Sequence, residues 1–265
     1  MVACALLLAL VAAPAGPAAA ADWSGRYSVW SEQAFSPQYL NASCVGATIQ
    51  MTLNLVRGVK DRSKSRQLEY LAYAAQTSKY PVLDDGADPE GWAQALNHFS
   101  SGDADYGWTT SPSMQSALHL AALQLRSTGK PIGLTVHFGR HAWLMTGFES
   151  AVDPATSTDF EVTAAQVVGP LWPLGTLNGE HFDPGPGTWM STRDLARKFD
   201  AYVEPDQPLW FGKYVMVVPD ATAAAQQSAG QPGADTPDLQ STLGWIYVFQ
   251  RLAQQIPVRD FLWAR

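Results

Sequence analysis

The chain has 265 residues, 46% of them hydrophobic and only 15% charged, which supports one substantial core or two small ones and excludes disorder of the whole. With 17 Lys and Arg against 24 Asp and Glu, the formal charge of -7 gives no electrostatic footprint for nucleic acid or anionic lipid, and neither is expected as a partner.

An apolar run over residues 5–13 is followed by Pro14, Gly16 and Pro17 and then by four alanines, Ala18 to Ala21. Although no Lys or Arg precedes it, this segment reads as a signal peptide over 1–21, cleaved near Ala20 or Ala21. It is too short to span a membrane. Export to the outside of the cell is therefore expected. Cleavage would remove Cys4, leaving Cys44 as the sole cysteine and no intramolecular disulfide.

Residues 22–41 are aromatic and turn-rich, with Trp23, Tyr27, Trp30, Phe35 and Tyr39, and predict an extended lead-in. Val45, Thr48, Ile49, Thr52, Leu53 and Val56 recur at three- and four-residue steps, so a helix is predicted over 44–57, with Ser43 as cap and Gly58 as stop. Further helices are predicted over 64–76, over 89–99 with Asp88 capping and Pro89 first, and over 113–125. Strands are expected at 131–138, 142–148, 160–168 and 209–218, with a short helix at 191–199 capped by Ser191. Helices first and strands afterwards indicate an α+β fold with a mostly antiparallel sheet, spanning 22–218. Residues 219–238 collapse to Ala, Gln, Ser, Gly and Pro, the composition of a flexible linker. Beyond it, 239–265 predict a helical tail with Leu243, Ile246, Phe249, Leu252 and Ile256 on one face, expected to dock on its own domain.

Cys44 thus falls in the first turn of a helix, where free backbone N–H groups and the positive end of the helix dipole stabilise a thiolate. A solitary thiol can also be simply buried, or paired between chains, so the neighbouring residues decide. Gln38 stands six positions ahead of it, in Gln38-Tyr39-Leu40-Asn41-Ala42-Ser43-Cys44. A second stretch, Gly139-Arg140-His141-Ala142-Trp143-Leu144-Met145-Thr146-Gly147-Phe148, follows the predicted strand that begins Pro131-Ile132-Gly133.

These two stretches, with Gly129-Lys130-Pro131-Ile132 and Gly91-Trp92-Ala93-Gln94-Ala95-Leu96-Asn97, resemble the peptidase C39-like branch of the papain-like cysteine peptidases, over roughly residues 38–173. The resemblance implies a papain-like fold, with an N-terminal helical part packed on the sheet. It implies Cys44 as nucleophile, His141 as its imidazole partner, and Gln38 with the Cys44 N–H as oxyanion hole. The substrate would be a peptide or protein, and no cofactor is implied. That family commonly carries an Asp, often followed by Pro, on the strand after the His strand, to orient the imidazole. Here Val167-Val168-Gly169-Pro170 has Gly at that place. Gln166, Asp153 and Asp159 are alternatives without a motif, and the orienting residue stays unassigned.

The expected function is that of a secreted cysteine peptidase. The missing Asp keeps a second reading open, a catalytically inactive module that binds a peptide or cell-wall ligand. Acyl transfer to an amine would use the same residues. A metal site from His137, His141 and the His181–Asp183 pair is not expected, since a turn separates the first two and no acidic or Cys ligand has metal-site spacing. The sequon Asn41-Ala42-Ser43 is taken as coincidental, because a glycan there would block the cleft. Asp84 to Asp88 read as a capping turn, His98 and His119 as structural or surface histidines, and the protein as a monomer.

Overall fold

The computed structural model describes residues 23–80, 86–102, 105–177, 180–204, 206–220 and 222. The expected signal peptide, most of the expected linker and the helical tail lie outside the described residues.

Among the described residues, four helices longer than a single turn and a seven-stranded sheet form the fold. After the short strand β1 (Arg26–Ser28) come α1 (Cys44–Arg57), α2 (Lys64–Thr77), α3 (Pro89–Ser100), β2 (Tyr106–Ser111) and α4 (Met114–Thr128). Then follow β3 (Ile132–Val136), β4 (His141–Glu149), β5 (Ala164–Val168), the small hairpin β6 (Thr176–Leu177) and β7 (Glu180–His181), β8 (Thr188–Ser191), a single helical turn α5 (Thr192–Leu195) and β9 (Tyr214–Pro219). The strand order is β2-β9-β3-β4-β5-β8, with β1 beside the far half of β4, and every pairing is antiparallel. The chain is α+β with an antiparallel sheet.

Both faces of the sheet are covered, and the period-two alternation of β4 shows how. Trp143 and Met145 join Leu118 and Leu125 of α4 in one core cluster, while Ala142 and Leu144 join Val45 and Ile49 of α1 and Trp92 of α3 in the other. β9 divides likewise, Met216 and Val218 to the α4 side and Val217 to the α1 side. Strands buried on both faces have near-continuous apolar sequences, which is why β3, β4 and β9 were legible. Helix α1 is buried along residues 45–54, so its polar positions need partners inside the protein. Asn54 supplies one solution, donating to the carbonyls of Ala34 and Asp61 and accepting from Asp61 N–H, which ties the loops on both sides of α1 to it.

Several boundaries differ from expectation. The strand predicted to reach residue 138 ends at Val136, because His137 and Phe138 take left-handed φ of 52° and 63° that no strand accommodates. The helix predicted over 191–199 is one turn only, capped by Ser191 as expected. The strands predicted from 160 and 209 begin at 164 and 214. Asp88 caps α3 as expected, its carboxylate accepting from Gly91 N–H at 2.8 Å. Ser43 precedes α1 but its hydroxyl makes no cap bond. Among the described residues no helix is long and apolar enough to cross a membrane.

Candidate active site

Cys44 is the first residue of α1 and His141 the first of β4. The apolar seam between Val45 and Ile49 on one side and Ala142 and Leu144 on the other holds these two element ends together. Cys44 is half-buried and is the one free thiol among the described residues. It lies close enough to His141 to add to the basicity of the imidazole.

The other side of the imidazole meets a carboxylate. His141 Nε2 lies 3.0 and 2.9 Å from the two oxygens of Asp183, which leaves Nδ1 as the nitrogen available to the thiol. Asp183 is itself fully buried and held from two further directions: Trp143 Nε1–H donates to Oδ1 at 2.8 Å and Leu171 N–H to Oδ2 at 2.6 Å. Burial penalises charge on both groups, but each supplies the other's counter-charge. The charge and hydrogen bond of Asp183, with Cys44 adding to them, raise His141 to about 10 despite its burial. Asp183 is held below the ordinary carboxylate range, against its burial, by His141 and by the Leu171 and Trp143 donors. The arrangement is a thiol, an imidazole kept protonated, and a buried carboxylate in series.

Asp183 answers the gap that the sequence left at Gly169. A Cβ built on Gly169 would lie 2.3 Å from Asp183 Cγ and 2.4 Å from Oδ2. The carboxylate therefore fills the space that a side chain at 169 would claim, and it reaches that space from the end of the β6–β7 hairpin. The three alternatives considered for this role are engaged elsewhere. Gln166 accepts from Ser28 Oγ and donates to Gly187 O, Asp153 pairs with Arg126 through both oxygens at 2.8 and 2.9 Å, and Asp159 sits in an exposed turn with Ser157. The sequence did carry a signal for Asp183: the Asp-Pro pair sought at 169–170 stands instead at 183–184.

Gln38 is buried on the turn before α1. Its Nε2 donates to the carbonyls of Leu40 at 2.9 Å and Asn41 at 2.8 Å, so both amide hydrogens are engaged with the turn. Its Oε1 has no partner among the described residues, and its backbone N–H donates to Pro170 O at 2.7 Å, next to Leu171. The first-turn N–H groups of α1, Cys44 among them, have no intrahelical acceptor.

His137 stacks on Phe182 with ring centroids 4.3 Å apart and lies 6.1 Å from the His141 ring. Burial, then the charges of His141 and Lys198, push it down to about 3, so it stays neutral where His141 is charged. His181 lies against Trp172. Among the described residues no group of three or more His, Cys, Asp or Glu could hold a metal ion. No family model matches the chain, and no curated protein or solved structure matches it either.

Proposed function

We propose that this protein is a papain-like cysteine hydrolase of C39-like type, acting on peptide or other amide bonds after export. The observation that carries this reading is the position of His141, between the Cys44 thiol at a helix N-terminus and the buried Asp183 carboxylate. The apolar leader-like run and the alanines at 18–21 support export.

In the proposed reaction Cys44 reacts as a thiolate beside the protonated His141, its proton already held by the imidazole, and the sulfur attacks the substrate carbonyl carbon. The oxyanion that forms is met by the Cys44 N–H and by the Gln38 amide, one of whose hydrogens leaves a turn carbonyl to reach it. The C–N bond then breaks and the imidazolium proton goes to the leaving amine. A water molecule, deprotonated by the now neutral His141, cleaves the thioester and restores the thiolate–imidazolium pair. Asp183 fixes the ring orientation and stabilises its charge throughout. If an amine takes the place of that water, the same residues carry out acyl transfer.

The reading that the cleft binds without reacting rested on the absent acid at 169. Asp183 supplies a carboxylate in that space, which favours catalysis.

Cys44→Ala should abolish turnover of a mixed peptide substrate while leaving the melting temperature close to that of the wild type. Gln38→Ala should lower kcat by about 10²–10³, the usual effect of losing an oxyanion donor. Equal turnover by the wild type and Cys44→Ala would overturn the proposal.

A further inference from the structure

The turn from Gln38 to Cys44 is gripped from outside by a single side chain that belongs to neither half of the Cys44–His141 pair. Gln67, in the first turns of α2, is fully buried. Its Oε1 accepts the Tyr39 N–H at 2.9 Å and stands 3.2 Å from Ser43 Oγ, whose proton it shares with Leu40 O. Its Nε2 donates to Pro37 O at 3.0 Å and to Gln50 Oε1 at 3.1 Å. Every donor and acceptor position of the amide is thereby used.

The partners are the point of interest. Pro37 and Tyr39 flank Gln38, and Ser43 immediately precedes Cys44. Gln50, on α1, accepts in turn from Ser36 Oγ at 2.7 Å and donates to Ser63 O at 3.1 Å. The backbone closes on the same place, since a Cβ on Gly46 of α1 would stand 2.6 Å from Gln67 O. Fully satisfied buried networks of this kind impose one geometry on the segments they join. None of the hydrogen bonds of Gln67 goes to His141 or Asp183.

We propose that Gln67 is the positioning residue of the oxyanion-binding turn: it sets the directions of the Gln38 amide and the Cys44 N–H without influencing the thiol–imidazole pair. The inference rests on the reading of Cys44 as an acyl-accepting nucleophile. It predicts a separation of two reactions of the same sulfur. Iodoacetamide alkylation forms an S–C bond at a saturated carbon with loss of iodide, and develops no oxyanion. Acylation by p-nitrophenyl acetate forms the thioester through an oxyanion and expels nitrophenolate.

In Gln67→Met, acylation should fall by about 10- to 100-fold, the scale of a displaced oxyanion donor, while alkylation stays within about 3-fold of the wild type. Equal losses in both reactions, or no loss in either, would overturn the proposal. Should Gln67→Met fail to fold, Gln67→Glu carries the test, because it keeps an oxygen toward Tyr39 and Ser43. There a selective loss of acylation of about 3- to 10-fold upholds the role, and parallel losses or none reject it. The wild type compared with Cys44→Ala separates the two levels: no Cys44-dependent nitrophenolate release would sink the catalytic reading itself, whereas release that is insensitive to Gln67 sinks only its positioning role.

Discussion

His141 and Asp183 form a pair whose two charges depend on each other. Removing the carboxylate charge with Asp183→Asn leaves the burial of His141 in place and takes away the charge that offsets it. The imidazolium of the wild type persists to about 10, so activity that needs it should be lost only as pH rises through that region. In Asp183→Asn the alkaline limb of kcat should move down by several pH units, toward or below the ordinary histidine range near ~6.5. A neutral amide at 183 can also accept from His141 and thus keep the ring in place, so a shifted limb with a partly retained maximum is the signature expected of charge stabilisation. An unmoved limb would show that Asp183 does not set the charge state of His141. Cys44, His141 and Gln38 could be singled out in the sequence by their spacing and surroundings. Asp183 was passed over although Asp183-Pro184 stands in the sequence, because it lies 42 residues from His141 and only the folded hairpin brings the two together.

The connection from β5 to β8 is the element that completes the site. It leaves β5 at Gly169, forms the β6–β7 hairpin and returns through Asp183, whose carboxylate contacts Leu171 N–H near the start of the same excursion. Gly169 and Asp183 exclude each other's side chains, so Gly169→Ala should push the carboxylate off His141. Turnover should fall by about 10- to 10³-fold with secondary structure intact, as expected when an orienting group loses its geometry. The combination Gly169→Asp with Asp183→Gly places a carboxylate in the same space from the other strand end, and should recover at least part of what Asp183→Gly loses. No gain of the combination over Asp183→Gly alone would mean that the hairpin route is required. The elements that sequence reasoning missed share a cause. β1 is three residues long and exists only by pairing with Gly147, Phe148 and Glu149, and β2, Tyr-Gly-Trp-Thr-Thr-Ser, lies at the sheet edge without an apolar run. Strands of that kind are made by tertiary pairing, not by local pattern. The helices carried their own signals, apolar stripes with Asp88, Ser113 and Gly58 at their ends, and their limits came out within about three residues.

At the scale of the molecule, one sheet serves two cores, since adjacent residues of β4 feed opposite clusters. Neither layer can leave without exposing the other, so the described residues should unfold as one cooperative unit. Two buried histidines then impose opposite pH dependences on that unit. His141 is raised to about 10 in the folded state, so its stabilisation is complete below its unfolded value near ~6.5 and is lost as pH rises from there toward 10. His137 is lowered to about 3, so the stability associated with its neutral ring is complete above ~6.5 and is lost as pH falls from there toward 3. Asp200, raised to about 6 by burial, acts against His137 over part of the same acid range, because its protonated form is the one the fold prefers. Comparison of variants isolates each contribution. Urea midpoints measured from pH 4 to 9.5 should show His137→Phe, which keeps a ring against Phe182, gaining on the wild type as the pH is lowered below 6.5. Asp183→Asn, in contrast, should differ most from the wild type below about pH 6.5, where the stabilisation by charged His141 is complete, and converge on it toward pH 9.5, where the wild-type His141 is surrendering its proton. A constant offset between His137→Phe and the wild type across the acid range would show that His137 already takes up its proton in the folded state, and that its burial against Phe182 does not hold it neutral.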